Sequence, residues 1–247
     1  MIRYKTMLKT ELKLSLRGMD MVIFAICVPV VALALIGILY GNKPAFSGAE
    51  FTFLEQSFGA AATISICAGG VMGLPLVVSD YRSKGILKRY KVTPVHPSMI
   101  LLVQVTVYTL YAAVSLLLLY AEAVLFFGYQ FLGNIISFLG CYLLVIVSTF
   151  SIGMMVGGIA PNAKIASVIA SLLYFPMLIF SGATLPYEVM PGALQKASNL
   201  LPLTQGIKLL KAASLGETLG STAVPVISTI SVAAVCSLIA LRFFKWE

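Results

Sequence analysis

The sequence predicts an all-α membrane protein with six transmembrane helices. Of its 247 residues, 60% are hydrophobic and only 11% are charged, whereas about 25% of an ordinary soluble domain is charged. The mean hydropathy is +0.99, and six apolar stretches are long enough to cross a bilayer, which takes about 20 residues. In such a chain the net charge of +8 indicates an excess of cytoplasmic cations, and we predict no nucleic-acid partner.

The first twenty residues predict an amphipathic helix that lies in the headgroup layer. Apolar side chains recur at every fourth position beside a stripe of cations, and these are Tyr4, Leu8, Leu12 and Leu16, with Lys5, Lys9, Lys13 and Arg17. Such a helix places its apolar face on membrane lipid and its cations near anionic headgroups. The alternative is a basic segment that only orients the first span.

Apolar runs place the six spans along the chain. They cover about 21–40, 58–79, 98–127, 133–159, 165–184 and 222–241. The first run and the basic residues before it also fit a cleaved signal peptide ending near Ala34. Because the run continues to Tyr40, a retained membrane helix is favoured.

The distribution of cations predicts the orientation of the spans. Five cations lie in the N-terminal segment and five in the 80–97 loop, and further cations are Lys164, Arg242 and Lys245. With six spans, all of these positions fall on one side of the membrane. By the positive-inside rule that side is cytoplasmic, so both termini are predicted to be cytoplasmic and the 185–221 segment is predicted to lie outside.

Polar and small residues within the spans predict packing faces and one candidate for the transport path. Small residues recur at every fourth position in the second and fourth spans, namely Ala61, Ser65, Gly69 and Gly73, and Thr149, Gly153 and Gly157. This spacing favours close helix packing within one bundle, with a seam between subunits as the alternative. Glu122 is an acid within an apolar run, so it either belongs to a substrate or proton path or reaches water from the outer end of its helix. Pro176 is the expected hinge of the fifth span.

The 80–97 loop, "DYRSKGILKRYKVTPVHP", predicts a short cytoplasmic helix. Ser83 is its expected cap and Pro94 its expected stop. The helix would present an apolar patch with a basic flank, formed by Ile86, Leu87 and Tyr90, and by Lys84, Lys88 and Lys91. Such a helix docks in the groove of a partner while the cations steer the approach. The alternative is a loop whose charge only fixes the orientation.

The motifs that the chain lacks exclude several function classes. It has no G-x-x-x-x-G-K-[ST] loop for nucleotide phosphates and no G-x-S-x-G elbow. Its four cysteines show no C-x-x-C spacing, and His96 is its single histidine. We therefore predict that the chain is not an enzyme and holds no metal or cofactor. If ATP drives it, another chain must bind the ATP.

Two stretches and the overall layout carry a family resemblance. Residues 80–95 combine an acid, cations, a glycine and Thr-Pro after the second span. Residues 175–213, "FPMLIFSGATLPYEVMPGALQKASNLLPLTQGIKLLKAA", form a Pro, Ser-Gly, Leu-Pro and Leu-Pro-Leu-Thr series. With the basic N-terminus and six spans, this sequence resembles the ABC-2 type permeases, the membrane subunits of ATP-binding cassette exporters, in particular the short bacterial drug, linearmycin-type and bacteriocin-immunity branch. Asp80 and Ile86 stand where that family usually has Glu and Thr.

The resemblance implies a single transmembrane domain over 1–247 that couples to an ATPase. Two such permeases, identical or sister chains, would combine with two copies of a cytoplasmic ABC ATPase that binds ATP and Mg²⁺, in a bacterial plasma membrane. The 80–97 loop would supply the coupling helix through Arg82, Lys84, Gly85, Ile86, Leu87, Lys88, Arg89, Tyr90, Thr93 and Pro94. The outer segment 185–221 would form short re-entrant helices, with a plain proline-rich loop as the alternative.

The resemblance also implies a transport path near the second and fifth spans. Residues expected to line it are Thr63, Tyr174, Phe175, Pro176 and Ser181, with Glu122 as a further candidate from the residue pattern. The expected activity is export of a hydrophobic or amphipathic compound, such as a drug, antibiotic, lipid or peptide. The alternatives are a secondary transporter driven by protons or sodium through Glu122, and an immunity protein that binds a toxin without transporting it.

Overall fold

The computed structural model describes residues 2–41, 43–45, 51–90, 97–184, 187, 190–216 and 219–243, and these fold into ten helices without a β-strand. In chain order the helices are α1 (Ile2–Gly18), α2 (Asp20–Tyr40), α3 (Phe53–Ser83), α4 (Ile86–Tyr90), α5 (Pro97–Phe127), α6 (Ile135–Ile159), α7 (Ala163–Phe180), α8 (Gly192–Ser198), α9 (Pro202–Leu215) and α10 (Leu219–Phe243).

Six of these helices, α2, α3, α5, α6, α7 and α10, are long and apolar enough to cross a membrane, which confirms the predicted spans. The largest boundary difference is in α3, which begins at Phe53, five residues before the predicted start of the second span. The reason is local: the Thr52 hydroxyl accepts from the Glu55 backbone N–H while the Glu55 carboxylate accepts from the Thr52 N–H. Such a capping box extends a helix into polar sequence that hydropathy does not assign to a span.

Asparagine caps and tight turns separate the later spans. The Asn134 side chain accepts from the backbone N–H groups of Ile136 and Ser137 at the start of α6. Asn162 caps α7 in the same way, through the N–H of Ile165. These side chains satisfy donors that have no partner within the helix, so each cap marks where a new helix begins.

The central helix of the bundle is α3. Of its most apolar stretch of 18 residues, 83% is buried inside the protein, whereas the corresponding share is 22–44% for the other spans. Its small residues allow close contact with α6. A Cβ on Gly153 would lie 1.9 Å from the Gly70 carbonyl oxygen, and one on Gly157 would lie 2.9 Å from the Val78 side chain. Gly153 and Gly157 of the α6 stripe therefore pack against α3, whereas Gly69 and Gly73 of the α3 stripe lie against Tyr108 of α5. Both stripes make close contacts within the bundle, as favoured over a seam between subunits.

Two spans contain π-helical turns next to prolines. Ile23–Cys27 is π-helical in α2, and Ala68–Gly73 is π-helical in α3. Pro29 and Pro75 follow these segments by two residues. Proline lacks a backbone N–H and clashes with the preceding turn, and a widened turn is one way for a helix to accommodate it. Both spans therefore continue through their prolines.

The described part of the 185–221 segment, which is predicted to lie outside, is helical over most of its length. It contains α8 and the 14-residue α9, which buries Leu203, Leu209 and Leu210. Gly59 of α3 lies so close to α9 that an added Cβ would meet the Lys211 nitrogen at 2.9 Å. A helix of 14 residues is too short to span a bilayer, and the re-entry of this segment into the membrane stays a prediction.

Candidate functional site

The short helix α4 follows directly from the central helix. Only Lys84 and Gly85 separate α3 from α4, and Gly85 has φ +66, a backbone conformation that glycine adopts without strain. Ser83 does not cap α4 as expected. It is the last residue of α3, and its hydroxyl donates to the Asp80 carbonyl.

In the described part of α4 the lysine side chain is exposed and the leucine side chain is buried in the bundle. Leu87 is 1% exposed, whereas the side chains of Lys84 and Lys88 are exposed. The expected apolar patch therefore does not include Leu87, which anchors α4 to the bundle. Lys84 pairs with Asp80 at 2.8 Å on the surface, a contact that contributes little to stability.

Several predicted coupling residues are described only in part. Arg89 and Tyr90 belong to the backbone of α4, while their side chains lie outside the described residues. Thr93 and Pro94 fall in 91–96, also outside the described residues, so the expected stop at Pro94 stays a prediction. Among the described side chains of the 80–97 loop, Lys88 of α4 and Lys84 of the preceding linker are the exposed cations that a partner could contact.

Arg82 lies inside the protein instead of on the coupling surface. It is 8% exposed, and its guanidinium donates from Nη1 to the Gly158 carbonyl and from Nη2 to the Ala160 carbonyl. These carbonyls belong to the C-terminal end of α6, where the helix leaves its last acceptors unsatisfied and where a cation is favoured. Arg82 was expected among the coupling residues, because the sequence pattern of a loop does not show which of its cations is buried.

The N-terminal helix docks on the bundle through a polar cluster. The Glu11 Oε2 atom accepts from the Tyr81 hydroxyl at 2.7 Å and from Gln104 Nε2 at 2.8 Å. The Tyr111 hydroxyl donates to the Ser15 Oγ atom at 2.9 Å. These contacts join α1 to α3 and α5. Sequence reasoning missed the cluster, since its partners are 70 and 93 residues apart along the chain.

The apolar stripe of α1 mostly faces the protein. Tyr4, Leu8 and Leu12 pack against the core, while Leu16 is 46% exposed. Three of the four residues that were expected to rest on lipid therefore pack, partly buried, against the protein itself. Helical periodicity predicts that a face is apolar, but it does not tell which apolar surface covers that face.

The predicted path residues lie at different depths in the chain. Thr63, Tyr174 and Ser181 are buried, and the Thr63 hydroxyl donates to the Ala60 carbonyl. Phe175, by contrast, is 52% exposed. Pro176 borders a groove of about 510 Å³ whose walls come from α6, α7, α9 and α10. The predicted path residues thus differ in exposure, and their common role in a path stays a prediction.

Glu122 lies near one end of α5, five residues before Phe127. Five residues of helix correspond to about 7.5 Å. Its Oε2 atom is buried and has no hydrogen-bond partner among the described residues. A position near a helix end is compatible with an acid that reaches water from there, and the buried oxygen is compatible with a place on the path, so both interpretations of Glu122 stay open.

Part of this chain is similar in sequence to known proteins. Nodulation protein J of Neorhizobium galegae is 37% identical over 94 residues, which make up 38% of this chain and 34% of that protein. Nodulation protein J of Sinorhizobium fredii (strain NBRC 101917 / NGR234) is 33% identical over 94 residues, with the same coverage of each chain. The matched part thus spans about a third of the length of these curated relatives.

A family-wide comparison covers far more of the chain. The model of the ABC-2 type transporter family matches residues 3–215, a range that contains α1 to α9. The matched range includes the first five spans and the short helix α4. This multi-pass helical chain therefore belongs to the ABC-2 type transporter family, whose members are the membrane components of transporters that work with an ABC ATPase.

Proposed function

We propose that this chain is the permease subunit of an ATP-driven exporter of a hydrophobic or amphipathic compound, such as a drug, antibiotic, lipid or peptide. A separate ABC ATPase, in two copies, binds ATP and Mg²⁺ and hydrolyses the ATP. The observation that carries the proposal is the placement of α4, a basic helix joined by two residues to the most buried span of the bundle. A force applied at α4 therefore reaches the core of the permease directly.

The chemistry of α4 suits an ATPase cleft. Leu87 holds the helix against the permease, while the side chains of Lys88 in α4 and Lys84 in the linker before it are exposed. Exposed cations steer a partner that carries acidic groups and fix its register on the surface. ATP-driven closure of the ATPases would then displace α4 and favour one of two permease states, through the differential affinity of the partner for the two states.

We further propose that the path forms between two permease chains, identical or sister. Val168, Leu172 and Phe175 of α7 are 67%, 74% and 52% exposed, and a second chain would cover this face. Thr63, Tyr174 and Ser181 lie behind it and would become accessible when α7 moves relative to α3. The outer helices α8 and α9 would close the outer mouth. The location is a bacterial plasma membrane, with both termini cytoplasmic.

The ion-coupled alternative depends on Glu122, because a carrier driven by protons or sodium needs an ionisable group on its path. The buried Oε2 atom of Glu122 is the observation in its favour. The position of this residue near one end of α5 and the family of the chain favour the ATP-driven reading.

Co-purification from a native bacterial membrane tests the proposal. The native chain, a Lys84→Glu/Lys88→Glu variant and a control Lys164→Glu/Arg242→Glu variant are captured after mild crosslinking, and bound proteins are identified. Both variants change the charge equally at exposed positions. We expect an ABC ATPase with the native chain and the control, and at least a roughly tenfold loss with the α4 variant, because juxtaposed like charges cost several kcal/mol. A native chain that captures no ATPase contradicts the proposal.

Leu87 is left unchanged in this design. A charge at a position that is 1% exposed would disrupt packing whether or not an ATPase binds there. Replacing only exposed lysines separates the loss of a partner from the loss of the fold. Size-exclusion profiles of the three proteins confirm that the fold is retained.

A further inference from the structure

Two adjacent residues in the last turn of α3 contact opposite sides of the bundle. Tyr81 and Arg82 are separated by the rotation of one helical residue, about 100°. Tyr81 reaches α1 and α5 through Glu11 and Gln104, whereas Arg82 reaches the end of α6. The turn that precedes α4 is therefore bonded to three further helices.

The hydrogen bonds of Arg82 hold the end of α3 firmly against the end of α6. The side chain is 8% exposed and donates to two carbonyls two residues apart, Gly158 and Ala160. The planar guanidinium presents its donors in a fixed fork, which a lysine ammonium does not reproduce. If the end of α6 moved away from α3, a buried charge and two carbonyls would lose their partners, which is unfavourable. The two helix ends therefore move together.

The contact of Tyr81 joins the other side. One carboxylate oxygen of Glu11 accepts from both the Tyr81 hydroxyl and Gln104, so a single group on α1 bridges α3 and α5. The link from this turn to α4 is short, consisting of Lys84 and Gly85. Leu87 also anchors α4 to the bundle. A displacement of α4 is therefore transmitted to the end of α3 and is not taken up by the linker.

We propose that Tyr81 and Arg82 form a two-sided connector that divides the displacement of α4 between separate targets. Arg82 is the positioning residue that carries it to the cytoplasmic end of α6. Tyr81 carries it to α1 and α5. The proposal rests on the proposed function, since the displacement comes from the ATPase. It goes beyond that function by naming the residues through which the ATPase acts on each part of the permease.

Hydrogen exchange of the full complex in lipid nanodiscs tests the connector. The complex of permease and co-purified ATPase is compared without nucleotide and with Mg-ATP and vanadate, which traps the closed ATPase. Exchange is followed in two segments, residues 2–18 of α1 and residues 156–162 at the end of α6. The variants are Arg82→Lys, which keeps the charge but loses the fork, and Tyr81→Phe, which loses only one hydroxyl. Arg242→Lys, at an exposed position of α10, is the matched control.

The expected result is a different loss in each variant. In the native complex and the control, nucleotide changes exchange in both segments. In Arg82→Lys the nucleotide-dependent change in exchange at 156–162 becomes roughly tenfold smaller, which is the effect of losing one charged hydrogen bond. The change in exchange of α1 remains. In Tyr81→Phe the α1 response shrinks and the response at 156–162 remains. A residue that only stabilises the fold would not separate the two responses.

Three outcomes overturn the connector while leaving the proposed function intact. In the first, both variants bind the ATPase and keep the nucleotide-dependent change in exchange in both segments. In the second, both variants lose that change equally in both segments. In the third, exchange in the native complex changes in neither segment. If Arg82→Lys does not fold, Tyr81→Phe decides the proposal by its own pattern. A native chain that binds no ATPase overturns the proposed function first, and the connector with it, so the two failures are distinguishable.

Discussion

At the scale of single residues, the absence of a side chain determines how closely two central helices approach. The Cα of Gly153 in α6 lies against the Gly70 carbonyl of α3, where an added Cβ would stand 1.9 Å from the oxygen. In lipid there is no hydrophobic drive between helices, so van der Waals contact of this kind is a main source of their association. A methyl group at this position must push the two backbones apart.

We expect Gly153→Ala to destabilise the protein by about 1–3 kcal/mol, the usual cost of overpacking a core. The measurement is the fraction of monodisperse protein that survives heating in detergent. Gly140→Ala is the matched control, because Gly140 lies in the same helix and an added Cβ meets nothing within 4 Å. Equal melting temperatures for the two variants would show that α3 and α6 do not pack as closely as described.

At the scale of elements, α1 is a docked helix as well as an amphipathic one. Its stripe of Tyr4, Leu8 and Leu12 packs on the core, and its polar contacts are made through Glu11 and Ser15. Its cations remain available for headgroups, since Lys5, Lys9, Lys13 and Arg17 are exposed. Docking and headgroup contact use different faces of the same helix.

We expect Glu11→Ala to loosen α1 without unfolding the bundle. Loss of two hydrogen bonds, worth about 1–3 kcal/mol together, should raise the population of undocked α1 roughly tenfold. Limited trypsin digestion in detergent reports this population, because Lys13 and Arg17 are exposed cleavage sites on α1. Thr10→Ala is the control, since the Thr10 hydroxyl donates only within α1, to the Thr6 carbonyl. Cleavage at the same rate in both variants would mean that Glu11 does not hold α1 in place.

At the scale of the whole molecule, the even number of spans and the distribution of cations predict the topology. Six spans place the N-terminal segment, the 80–97 loop, the 160–162 turn and the C-terminus on one side. The 128–134 turn between α5 and α6 falls on the other side. The positive-inside rule assigns the first side to the cytoplasm.

Reporter fusions check this topology. Alkaline phosphatase fused after Gly128 should be active, because that enzyme folds only outside the cytoplasm, and green fluorescent protein fused after Asn162 should fluoresce. Fusing each reporter at the other site provides the internal control and should give no signal. The reverse pattern at both sites would place the termini outside and remove α4 from the reach of an ATPase.

The sequence by itself determined the class of the protein, the number of its spans and their order. These features depend on local properties, namely runs of apolar residues and the loops between them. The Thr52 and Glu55 capping box is also a local signal, and it was readable from the sequence although the predicted boundary at 58 did not use it. The spacing of small residues likewise predicted that the second and fourth spans each carry a packing face, because a four-residue repeat places such residues on one face of a helix.

Only the tertiary structure decided which way the polar and amphipathic residues of α1 and of the stretch around α4 point. Arg82 and Lys84 belong to one basic stretch, yet Arg82 is buried at the end of α6 while Lys84 is exposed. Leu87 of the same stretch is also buried. Glu11 accepts hydrogen bonds from residues 70 and 93 positions away along the chain. A sequence pattern records which residues share a helical face. What covers that face depends on helices brought together from distant parts of the chain, and packing alone determines that arrangement.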